Sequence, residues 1–99
     1  MVEEIKWTKT AVKNFDRTVF YLVENWSEQV VADFVIKPFS LLDLLSRHPE
    51  LAQYQVKAKG IRGILITPHN KLFFRVKNTK LIVLKIFDTR TKPSKLRFR

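Results

Sequence analysis

The sequence predicts a small α+β protein in which one strand, two helices and three further strands follow one another. Apolar residues alternate with polar ones at the N-terminus, step by three and four through residues 10–48, and alternate again from residue 61. The outer patterns are typical of half-buried strands and the middle one of amphipathic helices. This order predicts two helices packed on one face of a single small sheet.

The N-terminal segment is predicted to form a strand and then a helix. Residues 4–8 alternate, with Ile5 and Trp7 on one side. From Thr10, which we expect to be the N-cap, to Asn25, the expected stop, the apolar residues have helical spacing. That stripe consists of Val12, Phe15, Val19, Leu22 and Trp26.

The second helix is predicted to begin after Ser27 and to end at His48-Pro49. Its apolar residues again step by three and four, and they are Val31, Phe34, Pro38, Leu41 and Leu45. Pro38 has no backbone N–H and crowds the preceding turn, so we expect this helix to be kinked or split there. Because about two residues join the helices, the pair is expected to form an antiparallel hairpin.

The second half of the chain predicts an antiparallel three-stranded meander after a polar stretch around residues 53–59. The strands are Ile61–Thr67, Leu72–Lys77 and Leu81–Phe87, separated by short turn sequences. In the middle strand, Leu72, Phe74 and Val76 share one face, and the other face carries Lys71, Phe73, Arg75 and Lys77. One face of the sheet is therefore expected to be buried and the other to be basic. Residues 88–99 are expected to form a basic tail in which Pro93 prevents a further central strand.

Composition limits the class of protein and its partners. The 99 residues have a net charge of +10 and contain no cysteine. Residues 1–50 carry 6 basic and 8 acidic side chains, whereas residues 51–99 carry 13 basic and 1 acidic. This asymmetry indicates a polyanionic partner. We expect one domain over residues 1–99, a cytoplasmic location, no membrane span, no metal and no cofactor.

The candidate functional residues are mostly basic side chains of the predicted meander and tail. Phosphate groups attract such cations, and aromatic rings stack on unpaired bases. The ordinary alternative is a set of solvated lysines that keep a sheet soluble. The candidates for target or nucleic-acid binding are Arg62, Lys71, Phe73, Arg75, Lys77, Arg90, Lys92, Lys95 and Arg97.

Three titratable side chains lie outside this basic set. Histidine is the residue type whose unperturbed pKa is nearest neutrality, so His48 and His69 are candidate general acids or bases, and His69 lies close to the basic residues. About twenty residues separate them, and two histidines alone form a poor metal-ligand set. Asp88, the sole acid of its half, is expected to be a structural partner of a neighbouring arginine or a turn former and not a catalytic base.

The order of several segments resembles the RelE/ParE superfamily of bacterial type II toxins. These segments are WTKTAVKNF, FSLLDLLSRHPEL, KGIRGILITPHNKLFFRV and KLIVLKIFDTRTKPSKL, and together they cover nearly the whole chain. The resemblance implies a toxin that inhibits growth and a cognate acidic antitoxin that wraps it in a hetero-oligomer. An exposed basic surface and open sheet edges fit such a partner, and the helix pair is expected to add apolar grooves in which an amphipathic antitoxin helix could lie.

The superfamily has two mechanistic branches. ParE-like members poison DNA gyrase, whereas RelE-like members cleave mRNA on the translating ribosome. For the second branch, the resemblance places Arg62, Lys71 and Arg90 as catalytic cations, with His69 as the best available proton carrier. The nuclease branch often has a tyrosine near the C-terminus, where this chain has Leu96 and Phe98. That difference favours the ParE-like branch. A basic nucleic-acid-binding module, or an inactive relative of these toxins, is the remaining alternative.

Overall fold

Five strands form one mixed sheet, and two helices pack against one of its faces. The computed structural model describes residues 2–92, 95, 96 and 98. The elements are β1 (Glu4–Trp7), α1 (Lys9–Asn25), α2 (Glu28–Arg47), β2 (Gln53–Val56), β3 (Ile61–Thr67), β4 (Asn70–Lys77) and β5 (Lys80–Asp88). The strand order is β1-β5-β4-β3-β2, with β1 parallel to β5 and every other pair antiparallel. The predicted α+β class is confirmed.

The helix boundaries agree with the sequence patterns at three of their four ends. α1 ends at Asn25, and Ser27 caps α2, which ends just before His48. The predicted N-cap of α1 at Thr10 is wrong, because the cap is Thr8. Its hydroxyl accepts from the amide of Ala11 at 3.1 Å and donates to the carbonyl of Leu84 at 2.9 Å. Thr8 therefore both starts the helix and fastens it to β5.

Pro38 does not split the second helix, so of the two expected outcomes, a kink or a split, the split is wrong. α2 is one continuous helix of 20 residues with Pro38 inside it. The proline removes one backbone hydrogen bond. It also lies on the buried side of the helix together with Phe34, Leu42 and Leu45. Burial of this side holds the two halves in a single helix.

The predicted meander is confirmed for β3, β4 and β5, and one more strand precedes it. β2 lies within the stretch that the sequence presents only as polar, and it pairs with β3 through Gln53↔Gly63 and Tyr54↔Arg62. Three of its four side chains are exposed. An edge strand without a buried face has no alternating apolar pattern, so its sequence resembles a loop.

The main core lies between the sheet and the helices. It is formed by side chains of both helices and of the three central strands, including Ala11, Leu42, Leu45, Ile66, Leu72, Phe74, Leu81, Val83 and Ile86. At one end, Trp7, Phe15, Phe34 and Phe39 form an aromatic group, with ring centroids 5.6–6.1 Å apart in the contacting pairs. Among the described residues, neither helix is long and apolar enough to cross a membrane.

Candidate interaction surfaces

The outer face of the sheet, turned away from the helices, carries the predicted basic side chains of β4. Lys71, Phe73 and Arg75 lie on this face because Leu72 and Phe74, between them, are buried in the main core. The expectation that Phe73 offers an open ring for stacking is wrong, since its side chain is 1% exposed. Its neighbours across the sheet are Gly63 on β3 and Lys85 on β5.

Phe98 of the C-terminal segment packs onto this face. Its ring meets that of Phe73 edge to face, with centroids 5.1 Å apart. The Lys59 ammonium donates to the carbonyl of Phe98 at 3.3 Å, and Lys85 Nζ lies 5.6 Å from the Phe98 ring centroid. The tail therefore returns to the sheet through Phe98. Of the predicted tail residues, Arg97 and Pro93, the residue expected to prevent a further strand, lie outside the described part of the chain.

The cations on β4 are in different environments. Lys71 Nζ donates to Gln55 Oε1 at 3.0 Å and lies 5.7 Å from the Phe73 ring centroid. Arg75 is half-buried, and its Nε is buried with no hydrogen-bond partner among the described residues. Lys77 is exposed at the end of the strand. Lys77 and Lys71 thus remain the cations of β4 that are best placed to meet a partner.

Arg62 lies on the opposite face of the sheet from Lys71. Its register partner is Phe74, which points into the main core, so Arg62 is on the helix side. Its guanidinium donates to the carbonyl of Ala52 at 2.8 Å and stacks on Tyr54, 3.9 Å from the ring centroid. Arg62 therefore ties β2 and the segment before it to β3.

Asp88 and Arg90 form a bidentate ion pair at the end of β5. Arg90 Nε donates to Asp88 Oδ1 at 3.0 Å and Arg90 Nη2 to Asp88 Oδ2 at 2.9 Å. The structural role predicted for Asp88 is confirmed. The hydrogen bonds from Arg90 hold the pKa of Asp88 below its ordinary value, and they raise the pKa of Arg90. His69 lies nearby, since its carbonyl accepts from the amide of Thr89 at 3.0 Å.

The Asp88→Asn variant is expected to be slightly less stable than the wild type at neutral pH and equally stable in acid. Because the pKa of Asp88 is lower in the folded state, its contribution exists above the unfolded pKa and disappears as pH falls through the folded pKa. Denaturant midpoints measured from neutral to acidic pH test this. The Arg90→Gln variant removes the other partner of the ion pair. Its stability should likewise be lower than that of the wild type at neutral pH and equal to it in acid. A loss that stays constant down to acidic pH would contradict the assignment.

A groove of about 820 Å³ runs between the two helices and the ends of β4 and β5. Its apolar lining includes Tyr21, Leu22, Trp26, Val30 and Phe34. Its charged lining includes the cations Arg17, Lys37, Arg90 and Lys95 and the acids Asp33 and Asp88. An exposed apolar lining ringed by excess positive charge suits an amphipathic acidic segment. The apolar groove that the resemblance implies beside the helix pair is thus present, and two of its aromatic side chains are well exposed, Trp26 at 59% and Tyr21 at 49%.

The structure gathers only some of the predicted catalytic groups. His69, Lys71 and Arg90 lie at the same end of the β4–β5 pair, as the pairings Asn70↔Asp88 and Lys71↔Phe87 show. Arg62 pairs nearer the other end of β4, on the other face. The described residues contain no group of three or more side chains suited to hold a metal ion.

The fold and its basic face define the class of protein. A helical hairpin on one side of a mostly antiparallel sheet, with cations on the other side, has the architecture of the RelE/ParE toxins. Residues 5–93 match the family model described as "ParE toxin of type II toxin-antitoxin system, parDE". The chain belongs to this family of toxins.

Solved structures with the same fold come from several bacteria. The chain is similar to a chain of the chromosomal ParDE system of P. aeruginosa, with a TM-score of 0.72 and 19% sequence identity. The match covers 88% of this chain and 96% of that chain. It is similar to a YoeB/ParE toxin of Agrobacterium tumefaciens, with TM-score 0.63, 18% identity and coverages of 87% and 98%. A chain of the YoeB-YefM toxin-antitoxin complex of Staphylococcus aureus follows, with TM-score 0.58, 15% identity and coverages of 86% and 93%. No curated protein matches the sequence significantly.

Proposed function

We propose that this toxin acts by binding DNA gyrase, as ParE-like members do, and that a cognate acidic antitoxin holds it inactive. The observation that carries the proposal is the match of residues 5–93 to the ParE toxin family. The target and the antitoxin would both meet the protein in the cytoplasm. The working surface is the basic outer face of the sheet together with the cations after β5.

The groove beside the helices supports the antitoxin as a partner. Its excess of cations attracts acidic side chains, and its aromatic lining accepts the apolar side of an amphipathic segment. Among the similar structures, one belongs to a ParDE system and another is a toxin-antitoxin complex. We therefore propose a hetero-oligomer in which the antitoxin occupies this groove.

The side-chain geometry favours binding over phosphodiester chemistry. Arg62 is committed to Ala52 and Tyr54, on the face opposite Lys71. Arg90 already shares its guanidinium with a carboxylate. Stabilising a transition state requires donors aimed at one developing charge, and these cations do not point to one place.

A ribosome-dependent endoribonuclease is the second candidate. It is favoured by the presence of His69, Lys71 and Arg90 at one end of the β4–β5 pair. In this alternative the cations neutralise the scissile phosphate and His69 carries the proton. Arg62 then contributes to folding and not to chemistry.

Inducing the protein without its antitoxin separates the candidates. We expect growth to stop, purified gyrase to lose supercoiling activity when the toxin is added, and mRNA 5′ ends on ribosomes to remain unchanged. Cleavage with normal supercoiling would replace the gyrase proposal by the nuclease. If cells grow normally, the protein is an inactive relative or a basic nucleic-acid-binding module. The His69→Gln variant gives a second test. If the toxin acts on gyrase, this variant should inhibit supercoiling as strongly as the wild type; if it is a nuclease, the variant should lose mRNA cleavage.

A further inference from the structure

β1 leaves one edge of the sheet without a partner strand among the described residues. It pairs with β5 on one side only and is the first strand in the sheet order. The amide of Thr8 donates to the carbonyl of Val83 in β5 at 3.0 Å, and the amides of Glu3 and Glu4 both donate to the carbonyl of Thr79, just before β5, at 2.7 and 3.3 Å. Because backbone groups alternate in direction along a strand, those of Ile5 point away from the sheet. The edge therefore offers hydrogen-bonding groups at Ile5.

The side chains of β1 give this edge two different faces. Ile5 and Trp7 lie on the helix side, opposite the core residues Leu81 and Val83, and Ile5 is 38% exposed. The ring of Phe39, itself 55% exposed, lies 5.7 Å from that of Trp7. An apolar strip thus accompanies the open backbone edge.

Glu4 and Lys6 lie on the outer side of the same strand. Their charged ends are 3.8 Å apart within the chain, and both side chains are about half exposed, at 50% and 53%. Glu4 precedes Ile5 by one residue and Lys6 follows it by one. The charges are therefore arranged symmetrically, with opposite signs, about Ile5.

We propose that β1 is a self-association edge through which two copies of this chain pair as antiparallel strands about a two-fold axis at Ile5. In this register each Ile5 exchanges both backbone hydrogen bonds with Ile5 of the second copy. Glu4 then lies opposite Lys6 of the second copy, and Lys6 opposite its Glu4. These pairs fall at the non-hydrogen-bonded positions, where side chains are closest. A two-fold interface requires such reciprocal complementarity.

The charge pattern selects a second copy over another strand. A lysine on an exposed edge usually opposes strand pairing, because an added strand would bury its charge without a compensating carboxylate. Here the antiparallel register supplies a carboxylate to each Lys6 and joins the two apolar strips. An unrelated strand, such as one from an antitoxin, has no necessary relation to this sequence. The dimer does not depend on which cellular target the toxin has.

Charge reversal tests the register. Lys6→Glu places Glu4 opposite a second glutamate, and Glu4→Lys places two lysines opposite each other, in both cases twice per dimer. We expect each single variant to dimerise roughly tenfold more weakly in sedimentation equilibrium of the purified chain, because opposed like charges destabilise a strand pair. The double variant Glu4→Lys/Lys6→Glu restores both attractive pairs, so its dimerisation constant should return to the wild-type value.

Circular dichroism and thermal unfolding of each variant show whether the monomer is still folded. A wild-type chain that stays monomeric at all concentrations overturns the proposal. A folded double variant that is as weak as the singles overturns it too, since a two-fold pair must be restored by the exchange. If both single charge reversals dimerise as strongly as the wild type, the two copies meet elsewhere and the proposed β1 register is overturned.

Discussion

Replacing Phe74 with alanine is expected to destabilise the protein by about 3–5 kcal/mol, the usual loss for a large aromatic side chain in a core. Phe74 is fully buried at the centre of the helix-facing side of the sheet, between Arg62 of β3 and Val83 of β5. Domains of this size have total stabilities of about 5–15 kcal/mol. The variant should therefore be close to unfolding at physiological temperature and lose its toxicity.

Phe20→Ala is the matched control for this prediction. It makes the same chemical change in α1 at a side chain that is 68% exposed. Its cost is expected to stay within about 0.5 kcal/mol, as for most surface substitutions. Denaturant titration of both variants measures the difference directly. Similar losses in the two would mean that the core does not lie between the sheet and the helices.

The helices could be predicted because their burial repeats with the helical period. Phe34, Pro38 and Leu45 belong to the predicted stripe, and all three are buried. β2 could not, because none of its four side chains is fully buried and its place is fixed by backbone pairing with β3. A strand at a sheet edge is specified by its neighbour more than by its own sequence.

The composition of the basic surface was predictable, but its geometry was not. Ile61, Gly63 and Ile66 of β3 are all buried, although they lie on both faces, so the pattern of this strand does not reveal which way Arg62 points. Only the register with Phe74 places Arg62 on the helix side. The burial of Phe73 also involves a long-range contact, because the Phe98 ring that packs on it lies 25 positions later in the chain. Neither relation is encoded in local periodicity.

Removing three cations from β4 and the segment after β5 is expected to reduce toxicity, whereas removing three from the helices is not. The test variant is Lys71→Gln/Lys77→Gln/Lys92→Gln, and the control is Lys9→Gln/Lys13→Gln/Arg47→Gln. Both lose three positive charges, so a general effect of net charge on association would affect them equally. The control residues are exposed on α1 and α2, away from the outer face of the sheet.

We expect the test variant to bind gyrase about tenfold more weakly, which corresponds to about 0.5 kcal/mol for each exposed charge contact. Titration of supercoiling inhibition, repeated at two salt concentrations, measures this loss. The salt dependence should decrease in the test variant because fewer ions are displaced on binding. Arg62 is left intact, since its bonds to Ala52 and Tyr54 would turn its replacement into a folding defect. If the two variants inhibit gyrase equally well, the toxin binds its target through the groove beside the helices and not through the outer face of the sheet.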